Sequence, residues 1–137
     1  MQLAEDLSRA SFEECRDAAR FLCRRLKERK PVQVAFTVSL LNGLVNNAGV
    51  EFQKAFFSKE SFPAVKHVLK EKTPDKIKDN LRANLKDWQK DLASKPQFTI
   101  INTWVCDCMC MMLCLWLSVT VCLCCCLCCL WLCACCL

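Results

Sequence analysis

Apolar residues recur through the first hundred positions at alternating steps of three and four, the spacing of one face of an α-helix, which limits the folds open to this chain. Phe12, Cys15, Ala19, Leu22 and Leu26 form one such stripe, with Arg16, Arg20, Arg24 and Lys27 off it. Ser11-Phe12-Glu13-Glu14 precedes the stripe as a capping box, in which the Ser11 hydroxyl accepts from the third helical N–H while Glu14 reaches back. The helix is predicted to end near Arg29, stopped by Pro31. Val32 to Val45 carries Val34, Ala35, Phe36, Val38, Leu40, Leu41, Leu44 and Val45 with no charge. Apolar on every side, it reads as the buried central helix.

Asn46-Asn47-Ala48-Gly49 supplies a helix ending in which Gly49 can take the left-handed conformation. Two turns presenting Phe52 and Phe56 are expected over Glu51–Phe57, with Ser58 placed to cap the next helix. Phe62, Val65, Val68 and Leu69 predict that helix up to Lys72. Thr73-Pro74-Asp75 is a start signal: a capping hydroxyl, a proline at the first helical position and a carboxylate on the positive end of the dipole. Ile77, Leu81, Leu85, Trp88 and Leu92 then form a long stripe, ended by Ser94-Lys95-Pro96. No useful length of residues 1–103 alternates with period two. Helices joined by such short connections pack side by side, so the expected class is all-α, a right-handed superhelix of short helices followed by a hydrophobic, cysteine-rich C-terminal helix.

Charge divides the chain in two. Residues 1–103 hold all 19 Lys and Arg and every acidic residue but Asp107, a mild net charge of +6. That mixed surface argues against a nucleic-acid partner. Two glycines leave no glycine-rich phosphate loop, and His67 as the single histidine leaves neither a multi-imidazole zinc site nor a two-histidine acid–base pair. No catalytic residue, metal or cofactor is expected. The opening MQLAEDLSRA lacks a basic segment followed by an apolar run, so no secretory leader is expected. His67 reads as a structural histidine, Cys15 and Cys23 as small core hydrophobes, and Trp88 as core. Asn46 and Asn47 read as helix-end chemistry.

The basic residues of the first long helix, Arg16 to Lys30, read by default as a solvated face. The functional alternative is contact of Arg20, Arg24, Arg25 and Lys27 with anionic lipid headgroups, worth ~1 kcal/mol per basic residue near a bilayer surface.

Residues 108–137 are apolar except for Ser118 and Thr120, and 13 of the 15 cysteines fall between Cys106 and Cys136. A bilayer core needs roughly 20 helical residues, so hydropathy suggests a C-terminal membrane anchor, with Trp104, Trp116 and Trp131 as interface markers. Cys106, Cys108 and Cys110, at its boundary, are acylation candidates. Cys125-x-x-Cys128 and Cys126-x-x-Cys129 have ligand-like spacing, but such spacing is cheap in a cysteine-rich run, and structural zinc sites use defined sets of four ligands. The same composition also fits translated low-complexity sequence without an evolved role. The expected division is therefore a helical domain over 1–103 and a tail over 104–137.

The order of landmarks from Glu14 to about Asn102 resembles the VHS domain, a relative of the ENTH and ANTH modules. It runs through ECRDAARFLCRRLKERKP, VQVAFTVSLLNGLVNNAG, EFQKAFFSKESFPAVKHVLKEK and then LKDWQKDL with KPQFTII. The pattern looks most like the VHS domains of endosomal sorting adaptors. The resemblance implies a non-enzymatic interaction module on the cytoplasmic face of endosomal or Golgi membranes. Implied partners are ubiquitin or cargo sorting signals, with phosphoinositide or anionic membrane contact in some branches. Set against the family pattern, the chain is expected to begin inside the second helix, with Met1 to Leu7 as its remnant and the ubiquitin-gripping tryptophan upstream. Only Met1 and Leu3 are then implied as partner contacts. The family's last helix should begin near Phe98.

Overall fold

The computed structural model describes residues 2–92 and 94–116, with side chains as far as Cys108. Among the described residues seven α-helices succeed one another: α1 (Gln2–Arg9), α2 (Phe12–Leu26), α3 (Pro31–Asn47), α4 (Val50–Phe56), α5 (Phe62–Lys70), α6 (Asp75–Leu92) and α7 (Ile100–Trp116). A single 3-10 turn over Pro96–Phe98 precedes α7. The expected all-α superhelix is what the described residues form. Each helix is bound to its neighbours in space: α2 packs on α3, α4 and α5, α3 on α1, α4 and α6, and α7 on α5 and α6.

The capping box is complete. Ser11 donates its backbone N–H and its hydroxyl to Glu14 Oε2, both at 2.8 Å, and the Glu14 N–H donates back to Ser11 Oγ at 3.4 Å. From there Cys15, Ala19, Leu22 and Leu26 are buried, the stripe read from the sequence. The helix closes at Lys27, earlier than expected, because the Lys27 and Glu28 N–H groups donate to the Arg24 and Arg25 carbonyls in tight three-residue turns. Gly49 does adopt positive φ, at 85° with ψ 179°, but it serves as the residue before α4, while Ala48 closes α3. Only glycine takes that extended, positive-φ geometry without strain.

Three further features differ from the sequence reading. Ser61, not Ser58, precedes α5, and the two hydroxyls lie 3.4 Å apart. The carbonyl of Pro74 closes the first turn of α6 by accepting from Ile77, so the helix begins at Asp75, one residue after the proline expected at its first position. The most consequential difference concerns α3, which is not buried on every side. Val34, Thr37, Val38, Leu41, Leu44 and Val45 face the core, whereas Val32 is 81% and Phe36 67% exposed. With α1, α2, α4 and α6 as its partners, α3 still has one face that no helix covers.

The core is densest around an aromatic cluster. The Phe56 ring meets Trp88 and Trp104 edge-on, each at 5.8 Å, and Phe57 lies 5.5 Å from Trp104 and 6.1 Å from Phe98. Phe62 stacks on Trp104 at 5.2 Å. Such pairs add about 0.5–1.5 kcal/mol each beyond the area they bury. Trp104 is thus a core residue, not a membrane-interface marker, and Ile101, Val105 and Cys108 are buried with it. The helical body therefore continues past residue 103, because α7 supplies the last wall of the aromatic cluster.

Among the described residues no helix is long and apolar enough to cross a membrane. The expected anchor, the acylation candidate Cys110 and the cysteine pairs from Cys125 onward involve residues or side chains outside those described.

Candidate interaction surfaces

Among the described residues no group of three or more His, Cys, Asp or Glu is placed to hold a metal ion. Cys15 is fully buried and its thiol donates to the Leu7 carbonyl at 3.6 Å, tying α2 to the end of α1. Burial raises its pKa, with Glu51 and Glu14 adding to the effect. Cys23 is also raised by burial, offset in part by a hydrogen bond with Ser61. The His67 Nδ1 instead faces Glu71 at 3.9 Å. Neither thiol is thus engaged with the single imidazole, and no nucleophile–base pair is assembled from them.

The basic residues of α2 divide by partner. Arg20, Arg24 and Lys27 share a helix face at steps of four and three, and Arg25 lies off it. Arg20 binds Glu60 at 3.2 Å and lies 3.7 Å from Asp17, so it braces α2 against the loop before α5. Arg25 is half-buried and pairs with Glu28 at 2.5 Å. Arg24 is exposed. Lys27 lies at the mouth of a cleft between the α2–α3 and α5–α6 turns. Of the four residues read together from the sequence, Arg20 and Arg25 thus already have carboxylate partners.

Large apolar side chains are exposed on α1 (Leu3), α2 (Phe12 and Phe21), α3 (Val32 and Phe36) and α4 (Val50), and the two most exposed lie on α3. Leu3 on α1 is 45% exposed, and α1 packs directly on α3, whose uncovered face carries Val32 and Phe36. Met1 lies outside the described residues. The spacing on α1 explains the exposure of Leu3: Ala4 and Leu7 are the buried positions, and Leu3 sits beside them at the edge of the stripe. The Phe36 side of this surface was missed from sequence, where an uncharged helix reads as wholly buried. Its one signal is the polar Ser39, which shares this uncovered face and is itself exposed.

A family model of the VHS domain matches residues 1–108, four-fifths of the chain. The chain belongs to the VHS-domain family. The matched range takes in Trp104, Val105 and Cys108, which α7 buries in the core. A search of curated proteins finds no match. VHS domains are non-catalytic protein-interaction modules of vesicular trafficking, and their partners are proteins such as cargo or its sorting signals. That general role agrees with a superhelix whose exposed helix faces offer interaction surfaces.

Proposed function

We propose that this VHS domain recognises ubiquitin or a sorting signal on cargo through the surface shared by α1 and α3, on the cytoplasmic face of endosomal or Golgi membranes. The observation that supports this reading is the exposure of Leu3, Val32 and Phe36 on two helices that pack against each other. A large aromatic ring left two-thirds open one turn from an exposed valine on the same helix costs solubility, and apolar exposure of this kind marks interaction sites. Ubiquitin is a fitting partner because its recognition rests on an apolar patch, which needs an apolar counterpart with a polar rim.

The test is a titration of the isotopically labelled chain with monoubiquitin, monitored by amide chemical shifts. Shifts confined to α1 and α3, and lost in Leu3→Asp and in Phe36→Asp, are the expected result. Shifts mapping to α5 and α7 would move the partner site to the other end of the molecule. Absence of any shift at saturating ubiquitin would leave a sorting-signal peptide as the partner to titrate next.

A further inference from the structure

Thr73 does not take the capping role that the start signal before α6 implies. The Pro74 carbonyl closes the first turn of that helix, accepting from the Ile77 N–H at 2.9 Å. The Thr73 backbone N–H donates to the Glu71 carbonyl at 2.7 Å, so the turn is tight, but among the described residues the Thr73 hydroxyl makes no hydrogen bond. Thr73 is half-buried, and its neighbours Glu71, Lys72, Pro74, Asp75 and Lys76 are all exposed.

The same four residues, Thr73-Pro74-Asp75-Lys76, place a proline directly after a hydroxyl and a basic residue three positions on. That is the acceptor pattern of proline-directed protein kinases. Proline lacks an N–H and holds the residue before it extended, the conformation in which a kinase groove takes up its acceptor. Of the four prolines in the chain, only Pro74 follows a serine or threonine.

A short pattern of this kind is weak by itself, and the surroundings of Thr73 decide its meaning. Thr73 lines a cleft of about 620 Å³ with Lys27 and Arg29 from the α2–α3 turn and with its neighbour Lys72. The carboxylates on the same walls are engaged, Glu28 by Arg25 at 2.5 Å and Glu71 facing His67 at 3.9 Å. Among the described residues, Lys27, Arg29 and Lys72 form no ion pair. A phosphothreonine carries roughly −1.5 to −2 charge near neutral pH and three acceptor oxygens, so it can engage more than one cation at once. It would also stand just before the first turn of α6, where the helix dipole favours negative charge.

We infer that Thr73 is a phosphorylation site for a proline-directed protein kinase, and that its phosphate is held within the chain by Lys27 and Arg29, tying the α5–α6 turn to the α2–α3 turn. The kinase transfers the γ-phosphoryl group of ATP. The bond from Thr73 Oγ1 to phosphorus forms as the bond from that phosphorus to the bridging oxygen breaks, ADP leaves, and the hydroxyl proton passes through the kinase's base to solvent. The modification converts an open basic rim into a charged bridge between two turns, and it uses none of Leu3, Val32 and Phe36.

The experiment incubates the full chain with ATP and a recombinant cyclin-dependent kinase and maps the modified residue by peptide mass spectrometry, with Thr73→Val as the blank. The phosphorylated chain is then titrated with acid and followed by phosphorus-31 NMR. The comparison variants are Lys27→Gln/Arg29→Gln in the cleft and Arg24→Gln elsewhere on α2. All three side chains are exposed and lie outside the kinase pattern, so these variants should keep the fold and still be modified. The inference expects phosphate on Thr73 that is lost in Thr73→Val. Nearby cations favour the dianion, so its second pKa should fall about half a unit or more below the ordinary value of about 6. It should return towards that value in Lys27→Gln/Arg29→Gln and not in Arg24→Gln. A folded chain left unmodified at Thr73, whether or not a peptide of residues 69–79 is modified, would overturn the site. A phosphate titrating at its ordinary value, or shifted equally in both variants, would overturn its capture by the cleft.

Discussion

The indole Nε1–H of Trp88 donates to Asn42 Oδ1 at 3.1 Å, joining α6 to α3 across 46 residues of sequence. Trp88 is also packed edge-on against Phe56 and Phe57, at 5.8 and 5.7 Å, so one side chain fixes both the polar and the aromatic contact of α6. Replacing it with phenylalanine keeps an aromatic ring but removes the donor and leaves space beside Asn42. Trp88→Phe should cost about 1–3 kcal/mol, read from the urea midpoint. In an Asn42→Ala background the penalty should shrink by about 1 kcal/mol. An unchanged penalty would mean that packing alone carries the effect.

Gly49 stands at φ 85° and ψ 179°, and a Cβ built there would meet nothing nearer than Ser8, at 4.0 Å. The constraint is therefore the backbone and not space. Gly49→Ala is expected to lower stability by about 1–3 kcal/mol, measured by thermal unfolding, through strain at the α3–α4 junction. Crystallographic or NMR analysis of the variant should show the junction altered and the Ser8 side chain in place.

The α2 capping box makes stability depend on acid. Hydrogen bonds from the Ser11 backbone N–H and hydroxyl hold the Glu14 carboxyl below its ordinary value near 4.5. A carboxyl lowered in the folded state contributes stability above its unfolded pKa and loses it as pH falls through the folded value. Ser11→Ala should destabilise the chain by about 0.5–2 kcal/mol at neutral pH. Its penalty should diminish as the pH is brought below about 4.5, because wild type then loses the charged acceptor as well. A penalty constant down to strongly acid pH would show that the carboxylate's charge plays no part in the cap.

Thiol reactivity should rank by burial. Cys108 is buried in α7 and its pKa is pushed up to about 11, chiefly by burial and secondarily by Asp107. Cys15 is buried and raised by the same cause, while Cys106 is exposed. Alkylation of the folded chain with iodoacetamide near pH 8, mapped by peptide mass spectrometry, should label Cys106 well before Cys15 and Cys108. Adding denaturant should equalise the three. Early labelling of Cys108 would place the start of α7 away from the core.

Much of the helical body was legible in the amino-acid sequence because a helix packed on one side must repeat its apolar residues every three or four positions. Cys15 to Leu26 in α2 and Ile77 to Leu92 in α6 read directly as buried stripes, and Ser11 and Glu14 read as a cap, because these are interactions within one or two turns. The family resemblance likewise rested on the order of such local landmarks. What sequence could not decide was which faces meet. An uncharged α3 can be surrounded or can leave Phe36 open, and only the number and placement of neighbouring helices chooses between them. Arg20 and Arg25 resemble Arg24 in sequence, yet Glu60 and Glu28 engage the first two and leave the third exposed. Trp104 carries the composition of a membrane boundary, but contact with Phe56, Phe57 and Phe62 makes it core. Periodicity is a property of one helix, whereas burial, ion pairing and the meeting of Arg29 with Lys72 at one cleft are properties of helices brought together by packing.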